Sequence, residues 1–215
     1  MKIRGIFLMS AFATMAFAQY SPPKLEVFGE YSYLRFNPSL SGLNSRSFNG
    51  GGGGVQYNFS RYFGAKAEFF GYGSTRWTVT NPAPIVTGQG TVPIGVFTSH
   101  ANMFTYLFGP VVGIHARRFN VFGEVLFGGS NSNGFAKLSS AVVANGGTIA
   151  VAGTQHPFTM AVGGGVDYNL GKLIAIRLGE VDYFLTRYTN PFTNTNNQNS
   201  FRYAGGIVFK FGGSQ

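Results

Sequence analysis

The sequence predicts an all-β fold: a single eight-stranded, antiparallel, up-and-down transmembrane β-barrel. Three observations point there. Apolar residues recur with a period of two through most of the chain, the mark of strands with unlike faces rather than of helices. The usual placement of charge is also inverted. A water-soluble protein wraps charged surfaces and loops around an apolar core. Here, of only seven acidic residues, Glu124 sits inside NVFGEVLFGG (120–129) and Glu30 holds the matching place in EVFGEYSYLR (26–35). The polar stretches NPSLSGLNS (37–45), TVTNPAPIVTGQGTVPIGVFT (78–98) and TNPFTNTNNQN (189–199) carry no charge at all. Thirdly, short and long connections alternate along the chain, as they do in barrels with tight turns on the periplasmic side and longer loops outside.

Composition agrees. The 215 residues suit one good-sized domain. Charged residues are 11% and aromatics 16%, a balance that favours aggregation in water and has too many rings for disorder. The absence of cysteine excludes disulfides, thiolate metal sites and lipidation on an N-terminal cysteine. The opening MKIRGIFLMSAFATMAFA has a basic start, a short apolar run and a small-x-small end, so residues 1–18 read as a secretory signal peptide cleaved after Ala18. Residues 19–215 are then the barrel domain, with 14 basic and 7 acidic residues.

The strands follow in order. Segment 24–36 carries Glu30. Segment 47–58 contains NGGGGGV (49–55), whose glycines permit sharp coiling and leave room for inward rings such as Phe28 or Phe122. No helix is expected after it, so it is no phosphate-cradling loop. In 61–77, Lys66 and Glu68 share a face with Tyr62 and Phe70, opposite Ala65, Ala67 and Phe69. Segment 100–116 follows the long stretch 78–99. In 119–130, Asn120, Phe122, Glu124 and Leu126 oppose Val121, Val125 and Phe127. In 157–168, Thr159, Ala161, Gly163, Gly165 and Asp167 alternate with Met160, Val162, Val166 and Tyr168. In 172–187, Ala175 and Arg177 face inward, whereas strict alternation turns Glu180 and Asp182 toward lipid beside Ile174 and Ile176; a bulge near Gly179 would return them to the lumen, and the sequence leaves that choice open. In 200–211, Arg202, Ala204, Gly206, Val208 and Lys210 oppose Phe201, Tyr203, Ile207, Phe209 and Phe211. Most of these segments exceed the ~9–11 residues a tilted strand needs to cross a bilayer. An even strand count puts both chain ends on the short-turn side.

An eight-stranded barrel has an interior just wide enough for side chains to fill, and buried charge is tolerated only when paired. The inward acids and bases are therefore expected to form one lumen network of Glu30, Lys66, Glu68, Glu124, Arg177 and Arg202 that closes the barrel to ions.

The signal peptide, VFGEYSYLR, GGGVQYNFSRYFGAKAEF, YLFGPVVG, VDYNLGK and the terminal AGGIVFKFG together resemble the eight-stranded outer-membrane β-barrel family that includes the OmpA transmembrane domain and OmpX. The resemblance spans the mature chain and rests on pattern and order. It implies the outer membrane of a diderm bacterium, delivery by the barrel assembly machinery, and a structural or adhesin-like role. A narrow passive pore and a lipid-modifying enzyme are the alternatives. The final aromatic that marks such barrels for assembly is here Phe211, four residues before the end.

Site chemistry narrows the field. His100, His156 and Ser99 fall near the outer strand ends, where some barrels of this family carry lipid-modifying sites, but no acid lies in the outer loops to orient an imidazole. Neither catalysis nor a cofactor nor a metal site is expected, and His115, near an inner turn, reads as a lumen or interface residue. The basic excess does not mark nucleic-acid binding. Arg35, Arg46, Arg76 and Arg187 fall at outer strand ends and Lys24, Arg61, Arg117, Arg118 and Lys172 at inner ends, which suits membrane headgroups. The outer four are expected to face lipopolysaccharide phosphates among the outer-membrane lipids. Trp77, Tyr188 and Tyr203 are expected in the outer aromatic girdle, and Tyr57, Phe59, Tyr168 and Phe211 in the inner one. The Val-, Ile- and Thr-rich stretches 78–99 and 131–156, with turn signals at Gln-Gly and Asn-Gly-Gly, read as loops that extend the barrel as hairpins and offer edges to an extracellular protein partner.

Overall fold

The computed structural model describes residues 22–37, 45–81, 83–87, 90–148, 153–189 and 197–212, apart from the side chains of Ser74, Thr75, Trp77, Val79, Ile85, Thr87 and Phe135. The signal peptide, most of loops 37–46 and 188–199, and the Trp77 ring lie outside the described residues. Eight long strands close into a barrel: β1 (Leu25–Phe36), β2 (Arg46–Asn58), β3 (Phe63–Asn81), β6 (Gly95–His115), β7 (Phe119–Ser132), β8 (Phe158–Asn169), β9 (Ile174–Thr186) and β10 (Gln198–Phe211). Between β3 and β6 lies a small hairpin, β4 (Ile85–Thr87) and β5 (Gly90–Val92). Each barrel strand pairs antiparallel with its sequence neighbour, and β10 closes on β1 in register from Leu25↔Phe211 to Arg35↔Phe201. Closure leaves no unpaired edge around the wall.

The period-two pattern becomes an inside and an outside. On β7, Asn120, Phe122, Glu124 and Leu126 are buried while Val121 and Phe127 are exposed. On β10, Arg202, Val208 and Lys210 are buried while Tyr203, Ile207 and Phe209 are exposed. An outward apolar band over a polar interior is the solution for strands crossing hydrocarbon. The glycines have the role anticipated for them. A Cβ on Gly54 would lie 2.7 Å from the Phe28 ring, and one on Gly165 would lie 2.8 Å from that of Phe122. Two inward rings thus occupy the space that two absent side chains leave.

The seventh strand resolves its own contradiction with a bulge. Across β8, Asp167 faces Arg177 and Val166 faces Gly179, so Leu178 is an extra residue. Across β10, Gly206 faces Arg177 and Ala204 faces Glu180. Leu178 and Gly179 together absorb the change of parity. Leu178 points out at 60% exposure, whereas Arg177, Glu180 and Asp182 are all buried.

Two expectations need correction. The stretch 78–99 does continue as a hairpin: β3 and β6 stay paired for seven positions, Thr75↔Ala101 to Asn81↔Gly95, after a bulge past Tyr72. The stretch 131–156 instead contains a helix, α1 (Gly134–Ala144). The Asn-Gly-Gly read as a hairpin turn is its C-terminal cap. Gly146 takes a left-handed φ of 83°, its N–H donates to Val143 O and the Gly147 N–H to Val142 O, both at 3.0 Å. That is the Schellman arrangement, for which glycine is favoured. The second correction is Tyr188, which is 1% exposed and lies inside rather than in the girdle. Parity explains it, because alternation continues past Thr186 and gives Tyr188 the inward face of Phe184. Its hydroxyl meets Ser130 Oγ at 2.9 Å, and burial pushes the phenol well above its ordinary pKa.

Candidate functional site: a buried charge cluster beneath an apolar stopper

All seven acidic residues are buried, at 6% exposure or less. Glu26 lies near the short-turn end, and the other six crowd around three cations at mid-barrel. Lys66 Nζ contacts Glu180 at 2.8 Å, Glu124 at 2.9 Å and Glu68 at 3.1 Å. Arg177 contacts Glu30 at 2.7 Å, Asp167 at 2.8 Å and Glu180 at 2.9 Å. Arg202 contacts Asp182 at 2.7 Å, Glu180 at 2.9 Å, and Glu68. The rings complete the enclosure. Arg177 stands 4.4 Å from the Phe122 centroid and 4.9 Å from that of Phe28, and Arg202 stands 4.9 Å from that of Phe70. A guanidinium can satisfy several carboxylates and a ring face at once, which suits Arg177 and Arg202 to this crowded space.

Each of the six residues expected in the lumen network lies in this cluster. Glu30 and Glu124, on opposite walls, are bridged through Arg177, Glu180 and Lys66. Sequence reasoning left out Asp167, Glu180 and Asp182. Asp167 was legible from its parity, and the other two depended on the bulge. Glu180 is the hub, since it alone touches all three cations. One oxygen from each of Glu68, Glu124 and Glu180 lies within 4.8 Å of the others, as a metal site would require. Lys66 Nζ already occupies the place of a cation there.

The cluster is bounded on both sides. Toward the short turns, Gln56, Asn58 and Glu26 form one hydrogen-bonded group, and Lys210 donates to Asn169 at 2.6 Å. His115 faces Glu26 at 3.7 Å. Toward the long loops the lumen turns apolar: Leu34, Phe48, Leu107, Leu126, Phe184 and Tyr188 form one cluster with Phe97 of the projecting β6 and with Leu138 and Val142 of α1. The charge network in the lumen is therefore bounded on the long-loop side by an apolar stopper that includes the helix.

The remaining candidates do not converge on a site. His100 is exposed, while the neighbouring Ser99 is buried on the other face of β6. His156 is exposed as well. Arg35, Arg76 and Arg187 are exposed at the long-loop end; Arg46 is half-buried, with Nη2 3.4 Å from Thr78 O.

Comparison with known proteins agrees with this geometry. The family described as "Outer membrane protein beta-barrel domain" matches residues 5–212. Neisserial surface protein A superposes with a TM-score of 0.56 at 9% identity, over 87% of this chain and 97% of that one, a likeness of fold alone. The N-terminal β-barrel domain of Pseudomonas aeruginosa OprF (TM-score 0.47, 11% identity, 90% and 100% covered) is similar at lower score. So is the Yersinia pestis attachment invasion locus protein Ail (0.46, 12%, 88% and 99%). No curated protein matches the chain. With charge inside, an apolar belt outside and a family match over nearly its whole length, the chain belongs to the outer membrane protein β-barrel domain family and resides in the outer membrane of a Gram-negative bacterium.

Proposed function

We propose that this barrel acts at the cell surface as a structural or adhesin-like protein, with a plugged lumen and a projecting sheet that receives an extracellular protein partner. The observation that carries this reading is the β3–β6 ladder. It runs seven pairs past the last barrel neighbours, Gly50↔Tyr72 on one side and Met103↔Ser132 on the other. Beyond those points, no described strand pairs with the outer side of β3 or β6. Such lateral edges accept an extended segment by strand addition, with main-chain hydrogen bonds supplying affinity and alternate side chains supplying selectivity. Ile94 and Val96, 62% and 64% exposed, give the projecting sheet an apolar surface for side-chain contact. The exposed arginines at its base suit lipopolysaccharide phosphates, which would hold the sheet upright above the lipid. The plugged lumen favours this role over passage of solutes, and the separation of Ser99 from His100 favours it over lipid chemistry.

The test shortens the projection. A barrel in which β3 ends at Gly73 and β6 starts at Asn102, joined by an Asn-Gly turn, should still fold, seen as a heat-modifiable gel shift. Cells displaying it should attach to immobilised extracellular-matrix proteins no better than cells without the barrel. Attachment equal to that of the full-length protein would refute the platform.

A further inference from the structure

Charge is segregated between the two sides of the wall. With every acid in the lumen, the exterior carries only cations, and five of them ring the short-turn end. Lys24 precedes β1, Arg61 lies in the β2–β3 turn, Arg117 and Arg118 in the β6–β7 turn, and Lys172 in the β8–β9 turn. In the order around the wall these positions recur at intervals of about two strands, so together they form a collar rather than a patch. Lys24, Arg117, Arg118 and Lys172 are exposed, and Arg61 is half-buried beside the Tyr62 ring.

We propose that this collar binds the phosphate groups of anionic glycerophospholipids in the inner leaflet of the outer membrane. Three features favour a lipid over a soluble periplasmic anion. Exposed apolar side chains alternate with the cations at the same level: Phe59 at 64%, Tyr62 at 49%, Phe119 at 47%, Leu170 at 61% and Leu173 at 65%. Rings and aliphatic groups at this depth enter the acyl boundary while neighbouring cations reach the headgroups. The turns are also too short to carry their cations far into the periplasm. Finally, their backbones are fixed by the continuing ladder: Asn58 N–H donates to Lys24 O, Gly113 to Tyr62 O, Asn169 to Arg118 O and Lys210 to Leu173 O, each at 2.8 Å. The cations are thus held at one height, and no acidic side chain lies among them.

The test places a reporter in the collar. Trp77, the single tryptophan, is changed to Phe, and Phe59→Trp puts the fluorophore at the short-turn rim of the full mature barrel. The protein is reconstituted in phosphatidylcholine vesicles holding equal fractions of phosphatidylglycerol, with one lipid or the other brominated. Brominated phosphatidylglycerol should quench as though bound about fivefold more strongly, the factor that corresponds to ~1 kcal/mol for one Lys or Arg near an anionic surface. The preference should vanish when Arg61, Arg117, Arg118 and Lys172 become Gln. It should persist when Arg35, Arg46, Arg76 and Arg187 become Gln instead. In 1 M salt, where charges are screened beyond ~3 Å, it should collapse even with the collar intact, so the proposal stays testable if the four-Gln collar variant fails to fold. Equal quenching by the two lipids, or a preference indifferent to salt, would overturn the proposal. Binding of soluble peptidoglycan fragments without lipid preference would overturn it too, assigning the collar to the cell wall.

Discussion

Deleting both Leu178 and Gly179 is expected to abolish the folded barrel. Leu178 and Gly179 form the extra step that lets Arg177 and Glu180, three residues apart, both face the lumen. With both gone, Arg177 and Glu180 become neighbours in the strand, and one side of it must turn over. If Arg177 keeps its place, Glu180 and Asp182 meet lipid, and Arg202 loses two of its partners. If Glu180 keeps its place, Arg177 meets lipid, where a cation at the bilayer midplane costs ~2–4 kcal/mol, and Glu30 and Asp167 lose their cation. Refolding into lipid vesicles should give no heat-modifiable band. Gly179→Ala is the control: a Cβ there meets nothing within 4 Å, so that variant should fold normally. A double-deletion variant as stable as the parent would mean that Arg177 and the acids of this strand do not depend on this step to share the lumen.

Replacing Arg177 by Met should have the next largest effect. Glu124 and Glu68 can each lose a contact and keep another cation within reach, but Glu30 and Asp167 have only Arg177 among the ion pairs of the described residues. Breaking a buried pair from one side typically costs ~3–5 kcal/mol, because the surviving charge remains desolvated and unpaired. Arg177→Met should lower the urea midpoint of the reconstituted barrel accordingly. Adding Glu30→Gln and Asp167→Asn should recover much of the loss, since removing a whole buried ionic group is often nearly neutral. A single variant as stable as the parent would contradict the pairing, as would a triple variant weaker than the single.

Most of the wall and two thirds of the cluster were legible because both rest on parity. A strand of period two assigns every residue a side once one residue is placed, so Glu30 and Glu124 also fix Phe28, Phe122 and Leu126. The same rule includes Asp167 and Tyr188, the first passed over as a network member and the second misassigned to the girdle because a tyrosine near a strand end resembles an anchor. The parity break between Arg177 and Glu180 was itself a signal, since burying both charges demands an inserted residue. What parity could not supply was the closure of the long-loop end. Asn-Gly-Gly serves equally as a hairpin turn and as a helix cap, and only the packing of Leu138 and Val142 onto the apolar stopper decides between them. The length of β3 and β6 was obscured for a related reason, as their projecting residues pair with each other and owe nothing to the barrel's circumference.

The claim on which the rest depends is that this lumen is filled, by the charge cluster at mid-barrel and by Leu34, Phe48, Leu107, Leu126 and Phe184 above it. Single-channel recording of the unmodified, purified barrel in planar bilayers tests it most directly. With insertion verified by protease protection, the current should remain at the bare-membrane baseline over the full voltage range, without unitary steps. Reproducible, ohmic unitary conductance from the unmodified protein would contradict the plugged lumen and restore the narrow pore as its function.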